Sequence, residues 1–178
     1  MTARGSAGSN PPRGGVIRRA GKRDLEEVAR LWTDLAHHHT PLDPVYALRP
    51  GAEAEIRALL EAQLRDPDSA TFVWECHESS VSAGRRAGRL AGLCIVRIDR
   101  APPIQSEVDR AEVTDLIVEK ASRRRGIGGV LLDAALAWVA DSGVERVEVR
   151  VAARNVEGQA FWRARAFCDW MDVLQLRL

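Results

Sequence analysis

Residues 112–132 read EVTDLIVEKASRRRGIGGVLL and pass from a strand-like run through a basic loop into a glycine-rich helix start. The run 112–118 is rich in apolar and β-branched residues and predicts a strand, and the apolar stretch from Gly126 to Asp141 predicts a long helix. A helix N-terminus has unpaired N–H groups and partial positive charge. Together with the arginines at 123–125 it predicts an anion site, most naturally for a phosphate or pyrophosphate.

Two common phosphate-binding motifs do not fit this loop. A P-loop requires a Lys and a Ser or Thr directly after its glycines, and neither follows Gly129. A dinucleotide-binding fingerprint requires a third glycine where Leu131 stands, and it usually follows the first strand of its domain. A solvated charged loop is the alternative, but the preceding strand and the spaced glycines before a helix favour a ligand-binding loop.

The rest of the chain alternates between strand-like and helix-like segments. The predicted strands cover 16–20, 70–76, 89–98, 112–118, 144–151 and 170–178, and the predicted helices cover 24–35, 52–64, 126–141 and 156–165. Turn-rich loops are expected over 37–50, 79–89 and 101–103. Consecutive strands predict antiparallel pairing, and the later strand–helix–strand order predicts a parallel pair. The expected fold is therefore a mixed α/β sheet with helices on both faces.

Composition excludes several classes of protein. The 178 residues suit one domain over 16–178, preceded by a flexible tail over 1–15 that is rich in Gly, Ser and Pro. The 26 basic and 25 acidic residues nearly cancel, which argues against binding to nucleic acid or an anionic membrane. Three scattered cysteines form no disulfide framework or zinc ribbon, and no apolar run is long enough to span a membrane. We expect a cytoplasmic location.

Two motifs resemble those of the GNAT superfamily of N-acetyltransferases. Arg123-x-x-Gly126-x-Gly128, five residues after Val118, looks like the family's coenzyme A signature. Residues 155–167, NVEGQAFWRARAF, resemble its second motif, in which an Asn precedes a short helix with an aromatic pair. The strand order also matches from residue 16 onward. The resemblance implies a mostly antiparallel sheet with a splayed parallel pair, and an enzyme that transfers an acetyl group from acetyl-CoA to a primary amine.

The resemblance also implies which residues hold acetyl-CoA. Its pantetheine arm and diphosphate would lie where the strand ending at Val118 diverges from the strand over 144–151. Main-chain groups of the strand that ends at Val118, together with Asn155, would form hydrogen bonds to the arm. N–H groups over 124–130 would hold the diphosphate. The implied cofactor-binding residues are Leu116, Ile117, Val118, Arg123, Arg124, Arg125, Gly126, Ile127, Gly128, Gly129, Val130, Asn155 and Trp162.

Catalysis requires a neutral amine and a donor to the thioester oxygen. By resemblance, Glu112 is the expected base, acting through a water, and the Val118 N–H is the expected oxyanion donor. Asp115 is the rival base, although strand alternation places it on the opposite face from Glu112 unless a bulge intervenes. Trp162 stands where the family has a Tyr acid, and an indole cannot deliver a proton. A non-catalytic acyl-CoA-binding module is therefore the alternative function.

The acceptor is expected to be a small-molecule or peptide amine. The loop after the first helix borders the acceptor pocket in this family, so the candidate acceptor-site residues are His38, His39, Asp43, Tyr46 and Asp115. No metal is expected at the three adjacent histidines over 37–39, because zinc-binding helices space their ligands four residues apart. A homodimer through the C-terminal strand is a further expectation.

Overall fold

A five-stranded sheet with four helices makes up the protein in the computed structural model, which describes residues 12–77, 88–100, 104 and 109–176. The strands are β1 (Gly15–Arg19), β2 (Ser69–Cys76), β3 (Leu90–Arg100), β4 (Asp109–Val118) and β5 (Val147–Val149). The helices are α1 (Leu25–His39), α2 (Glu53–Arg65), α3 (Ile127–Asp141) and α4 (Val156–Ala164). β1 to β4 pair antiparallel in chain order, and β5 pairs parallel to β4. The predicted fold class is confirmed.

Each face of the sheet carries its own apolar core. α1 and α2 cover one face, where Leu31 and Leu60 pack against Leu93 of β3. α3 and α4 cover the other face, where Leu131 and Trp162 join residues that alternate with the first set along the strands. The sheet is buried on both sides, so β3 reads as a nearly continuous apolar run, Leu90–Val96.

The first helix continues further than the sequence predicts. His37, His38 and His39 form the last turn of α1 rather than the start of a loop, and the Thr40 N–H donates to the Ala36 carbonyl. Pro41 has no N–H to continue the helical hydrogen bonds and its ring clashes with the carbonyl one turn earlier, so the helix ends before it.

The last strands differ most from the prediction. β5 has three residues, Val147–Val149, instead of the predicted eight over 144–151, because β4 pairs with it only over 111–113. The strand expected over 170–178 is not formed by residues 170–176, which are exposed and extend from α4 without a neighbouring strand. That expectation was wrong for the described part, since an alternating pattern becomes a strand only where a partner edge is available.

Some expectations fall on residues that the structure does not describe. Residues 1–11 of the predicted tail, most of the loop over 79–89, the turn at 101–103 and residues 177–178 are outside the described ranges. Within those ranges, no helix combines the length and apolar character needed to cross a membrane.

Asp24, at the start of α1, pairs with the Arg18 guanidinium rather than capping the helix. Arg18 donates to both carboxylate oxygens over 2.7 and 2.8 Å, and the Gly21 N–H donates over 2.8 Å. Asp24 is 7% exposed, and the hydrogen bonds from Arg18 lower the pKa of its carboxyl. The charged form therefore stabilises the fold.

Asp24→Asn is expected to lower the free energy of unfolding at pH 7 by about 1–3 kcal/mol. The reason is that the buried acceptor of the Arg18 guanidinium loses its negative charge. A lowered folded pKa gives stability that is present above the unfolded value near ~3.9 and is lost as pH falls through the folded pKa. The deficit of the variant should therefore shrink below about pH 4. Urea unfolding across pH tests this, with the exposed Asp141→Asn as control; a deficit independent of pH would contradict it.

Candidate active site

A cleft opens where β4 and β5 diverge. The two parallel strands pair only at Ala111↔Val147, Glu112↔Glu148 and Val113↔Val149. Beyond Val113, β4 continues to Val118 along β3 while its other edge has no partner strand among the described residues. An unpaired strand edge presents main-chain donors and acceptors that an extended ligand can bond.

The antiparallel ladder determines which groups of β4 face this cleft. The Glu119 N–H donates to the Ala91 carbonyl over 2.9 Å, and Val118 lies opposite Gly92. Because hydrogen-bonded and non-bonded positions alternate, the main-chain groups of Val118 and Leu116 point away from β3 into the cleft. The main-chain groups of Ile117 point to Leu93 instead, so Ile117 has no main-chain bond to offer a ligand there.

The loop between β4 and α3 directs a set of N–H groups to one place. Arg124 and Gly126 both have left-handed backbone, with φ of 61° and 83°, and Gly126 is the N-cap of α3. The first intrahelical bond is from the Val130 N–H to the Gly126 carbonyl, over 3.2 Å. The N–H groups of residues 127–129 therefore have no partner within the helix. These groups and the positive end of α3 lie where the sequence predicts an anion site.

Two of the three arginine side chains of this loop, those of Arg123 and Arg125, have protein partners. The Arg123 Nε donates to the Val118 carbonyl over 3.0 Å and so closes the loop onto the end of β4. Arg125 donates to the Arg13 carbonyl over 3.0 Å. In this conformation the Arg123 side chain stabilises the loop. The main-chain N–H groups of the loop are therefore more available than this side chain as hydrogen-bond donors to an anion.

Gly128 faces a narrow part of the cleft. A Cβ placed on it would lie 3.6 Å from the Phe161 ring and 3.7 Å from Val118 Cγ2. These are ordinary contact distances, so a methyl group fits and a longer side chain would enter the cleft. Phe161, which the sequence analysis did not single out, thus lines the cleft where α4 approaches α3. Its position in the aromatic pair with Trp162 is the sequence signal that identifies it.

Asn155 and Trp162 have structural partners in α4. The Asn155 Oδ1 accepts from the Gly158 N–H over 2.9 Å and caps the helix, which leaves its amide nitrogen as the donor for a ligand. Trp162 is 8% exposed and packs edge-on against Phe161 and Phe167, with ring centroids 5.1 Å apart in each case. Trp162 therefore shapes the cleft through packing of the helix.

A bulge in β4 places both candidate bases on one face of the sheet. The register shifts between Ile95↔Asp115 and Val96↔Val113, so Thr114 is an extra residue without a partner in β3. The side chain of Val113 packs in the α3 core and that of Ile117 in the α1 core. Glu112 and Asp115 consequently both lie on the face that α1 and α2 cover.

The two carboxylates have different surroundings. Glu112 is ion-paired with Arg97 over 3.2 Å and with Arg150 over 3.4 Å, one arginine on each carboxylate oxygen. Asp115 accepts hydrogen bonds from the Thr114 hydroxyl, over 2.7 Å, and from the Trp32 side chain. Burial raises the pKa of Asp115, and the charge of Glu112 raises it further. A carboxylate with a raised pKa is the better proton acceptor.

The expected acceptor-site residues form a cluster at the end of α1. The His39 ring lies 5.1 Å from Tyr46 and 5.7 Å from His38, measured between centroids. Asp43 caps the short turn Pro44–Tyr46 by accepting from the Val45 N–H over 2.9 Å. Burial and the charge of His38 lower the pKa of His39. Asp115 contacts α1 through Trp32.

The family of this protein follows from comparison with known sequences. The model of the family described as "Acetyltransferase (GNAT) family" matches residues 24–167, which include the cleft, the loop and α4. The chain belongs to this family. The predicted resemblance is confirmed.

Individual relatives of the GNAT family agree with this assignment. A mycothiol acetyltransferase from Clavibacter sepedonicus is 32% identical over 110 residues, which are 62% of this chain and 34% of that protein. The chain thus spans about a third of the length of this curated relative.

Solved structures show the same fold. A tetramutant of the BH1408 protein from Bacillus halodurans has a TM-score of 0.76 at 19% identity, covering 92% of this chain and 99% of that chain. The aminoglycoside N-acetyltransferase AAC(6')-Iy, solved in complex with CoA, has a TM-score of 0.70 at 21% identity and covers 94% of this chain and 97% of that chain.

An ion-pair network joins the end of β4, which borders the cleft, to α1. The sequence analysis did not identify it. Glu119, directly after β4, accepts from Arg30 of α1 over 2.8 Å and from Arg89 over 2.7 Å. Arg30 also donates to Glu27 over 2.9 Å and to the Leu90 carbonyl over 2.8 Å. The Glu119 side chain is 12% exposed. The network fixes the end of β4 against α1. Glu119 is 89 residues from Arg30 and 30 from Arg89, so no local spacing indicates these two pairs.

Glu119→Gln is expected to lower the free energy of unfolding by about 1–3 kcal/mol, because two guanidinium groups lose a buried charged acceptor. Asp34→Asn is the matched control: Asp34 also pairs with Arg30, over 3.3 Å, but its side chain is 52% exposed. An exposed pair contributes about 0.2–1 kcal/mol. Denaturant unfolding of both variants makes the test, and equal losses would contradict a supporting role for Glu119.

Proposed function

We propose that this protein transfers the acetyl group of acetyl-CoA to a primary amine by direct attack of the amine on the thioester. The observation that carries the proposal is the open edge of β4 leading directly to the unpaired N–H groups at the start of α3. An extended arm with a diphosphate at its end matches this sequence of donors. The relative AAC(6')-Iy, solved with CoA, supports the same assignment.

The residues present fit such a carrier. Main-chain groups of Leu116 and Val118 would bond the pantetheine arm, and the Asn155 amide nitrogen would donate to it from the α4 side. The N–H groups over 124–129 would bind the diphosphate, whereas the N–H of Val130, also expected from the sequence, already donates to the Gly126 carbonyl. Gly128 supports this placement, because the absence of a side chain lets a ligand approach the main chain at the start of α3. When bound, the carrier supplies an activated acetyl group and a thiolate leaving group.

Asp115 is the base that the geometry supports best. An amine bound as its ammonium form has no lone pair, so a proton must leave before attack. Asp115 has the raised pKa, and the hydrogen bonds it accepts from described residues come from neutral groups, Thr114 and Trp32. Glu112, the base expected from the sequence, engages two arginines and would instead orient water or the acceptor. Both carboxylates favour a cationic amine on this face of the sheet.

The Val118 N–H is the proposed donor to the thioester oxygen, because it points into the cleft at the end of β4. No acid is assigned at Trp162, since its indole is packed in the core. A thiol in water has a pKa of about 8.5, so a thiolate leaves without a proton donor at modest cost. The acceptor is a small-molecule or peptide amine that reaches Asp115 from the side of α1.

Calorimetric titration of CoA, followed by a thiol-release assay with a panel of primary amines, tests the proposal. We expect saturable CoA binding and release of thiol with at least one amine. Absence of CoA binding would refute the proposal. Binding without thiol release across amines and pH would instead support the acyl-CoA-binding module, which the burial of Trp162 in place of an accessible acid favours.

A further inference from the structure

Arg150 follows β5 directly, at the point where β5 and β4 diverge. Its guanidinium pairs with Glu112 over 3.4 Å, so it reaches the face of the sheet on which Glu112 and Asp115 lie. The Arg150 side chain is nevertheless 74% exposed. Glu112 also pairs with Arg97, over 3.2 Å, so one carboxylate is shared between two guanidinium groups. Arg150 therefore retains positive charge and N–H donors for a ligand.

The strand register places Arg150 and Asp115 at the same level of the sheet. Glu112 of β4 pairs with Glu148 of β5, and Arg150 lies two residues beyond Glu148. The bulge adds Thr114 to β4, so Asp115 lies only two ladder positions beyond Glu112. Paired strands are about 4.8 Å apart, and these two residues stand where the strands begin to separate. A carboxylate and a guanidinium therefore border the opening of the cleft, one from each strand.

Arg154 reaches the same side of the cleft from the segment between β5 and α4. Its guanidinium donates to the Leu42 carbonyl over 3.4 Å, in the loop after α1. No carboxylate in the described part of the chain forms an ion pair with Arg154. The adjacent Asp43 instead accepts from the Val45 N–H over 2.9 Å. Arg154 thus adds a second cation beside the loop that is expected to border the acceptor.

We propose that Arg150 and Arg154 bind a carboxylate of the acceptor, which is then a primary amine that also carries a carboxylate, such as an amino acid. This inference rests on the proposed transfer reaction and names the class of its acceptor. The ammonium group of the acceptor would lie at Asp115 and its carboxylate at the two arginines. Planar guanidinium groups bind carboxylates through paired N–H donors. A single negative charge matches this site, because Glu112 already neutralises part of the charge of Arg150.

Thiol release with matched pairs of acceptors tests the inference. Each pair is an amino acid and its carboxamide, in a panel that varies the side chain and the distance between the amine and the carboxylate. The double variant Arg150→Gln/Arg154→Gln should lower the acid-to-amide ratio of kcat/KM by about 10–100-fold, mainly through a higher KM for the acid. The two amines of a pair differ in basicity, but this difference is the same for wild type and variants and cancels when their ratios are compared.

Two further variants separate contact with the acceptor from indirect effects. Arg154→Gln alone leaves both ion pairs of Glu112 intact and should still lower the ratio. Arg146→Gln is the matched control, because Arg146 pairs with Glu148 over 3.3 Å on the side of β5 away from the opening, and it should leave the ratio unchanged. Equal ratios in the wild type and the double variant would overturn the inference, as would an equal fall in the Arg146 variant.

Calorimetric titration of the same acids and amides into the protein, with and without saturating CoA, does not depend on turnover. Thiol release absent with every amine would refute the proposed reaction but not the carboxylate site. Tighter binding of at least one acid than of its amide, lost in the double variant, would support the site in either case. A wild type that binds no acid of the panel more tightly than the corresponding amide would overturn it.

Discussion

Gly128→Glu is expected to abolish CoA binding, with a loss of at least about 100-fold in affinity, equivalent to roughly 2.7 kcal/mol. The Cβ of a side chain on residue 128 already contacts Phe161 and Val118, so a glutamate needs further space at the start of α3. Its carboxylate would then oppose the diphosphate at the N-terminus of α3, where the helix favours negative charge from the ligand. Calorimetric titration of CoA into the purified variant measures the loss.

Gly128→Ala is the matched control for this prediction. Its Cβ makes only ordinary contacts with Phe161 and Val118, and alanine favours the helix more than glycine does. The alanine variant should fold and bind CoA within about 10-fold of the wild type, or about 1.4 kcal/mol. CoA binding by the glutamate variant at wild-type affinity would contradict the placement of the diphosphate. Circular dichroism establishes that both variants are folded before binding is compared.

Asp115→Asn is expected to lower kcat by about 10²–10⁴-fold, the usual contribution of a general base. The base acts only when deprotonated, so wild-type activity should fall as pH decreases through the raised pKa of Asp115. That fall should occur at a higher pH than the value near ~3.9 of an ordinary Asp. In the variant the acidic limb assigned to this group should disappear. A pH profile of kcat/KM with a substrate amine measures both effects.

Glu112→Gln separates the two carboxylates. It removes the charge paired with Arg97 and Arg150 but leaves Asp115 in place, so the acidic limb should persist in this variant. Asparagine at 115 can still accept from Thr114 and Trp32. A carboxyl whose folded pKa is raised destabilises the fold as pH rises through that value, so Asp115→Asn should not lower stability at pH 7. If Glu112→Gln lost more kcat than Asp115→Asn and also lost the acidic limb of the pH profile, Glu112 would be the base instead.

Much of the cleft could be predicted because its signals are local. The change from a strand pattern to the glycines at 126 and 128 is visible in neighbouring residues alone. The helix α3 begins within one residue of the expected position. The aromatic pair at 161–162 likewise falls on a helix that Asn155 caps. Helix starts and close main-chain approaches depend on residue types a few positions apart, so the sequence alone can indicate them.

Other features depend on contacts between distant segments. Nothing in Thr114 or its neighbours signals a bulge, yet that extra residue decides that Glu112 and Asp115 share a face. The burial that raises the pKa of Asp115 comes largely from packing against other segments. The alternation over 170–178 predicts a strand that residues 170–176 do not form, because pairing requires an edge and no described strand is joined to them. Such features follow from tertiary packing rather than from local pattern.

A crystal structure of the protein with acetyl-CoA tests the central claim most directly. We predict that the diphosphate lies within hydrogen-bond distance of the main-chain N–H groups at the start of α3, around Gly126 and Gly128. The pantetheine arm should run along the open edge of β4 with bonds to Leu116 and Val118, and the thioester carbonyl should approach the Val118 N–H. A carrier bound elsewhere, or a diphosphate held by side chains away from this loop, would contradict the account.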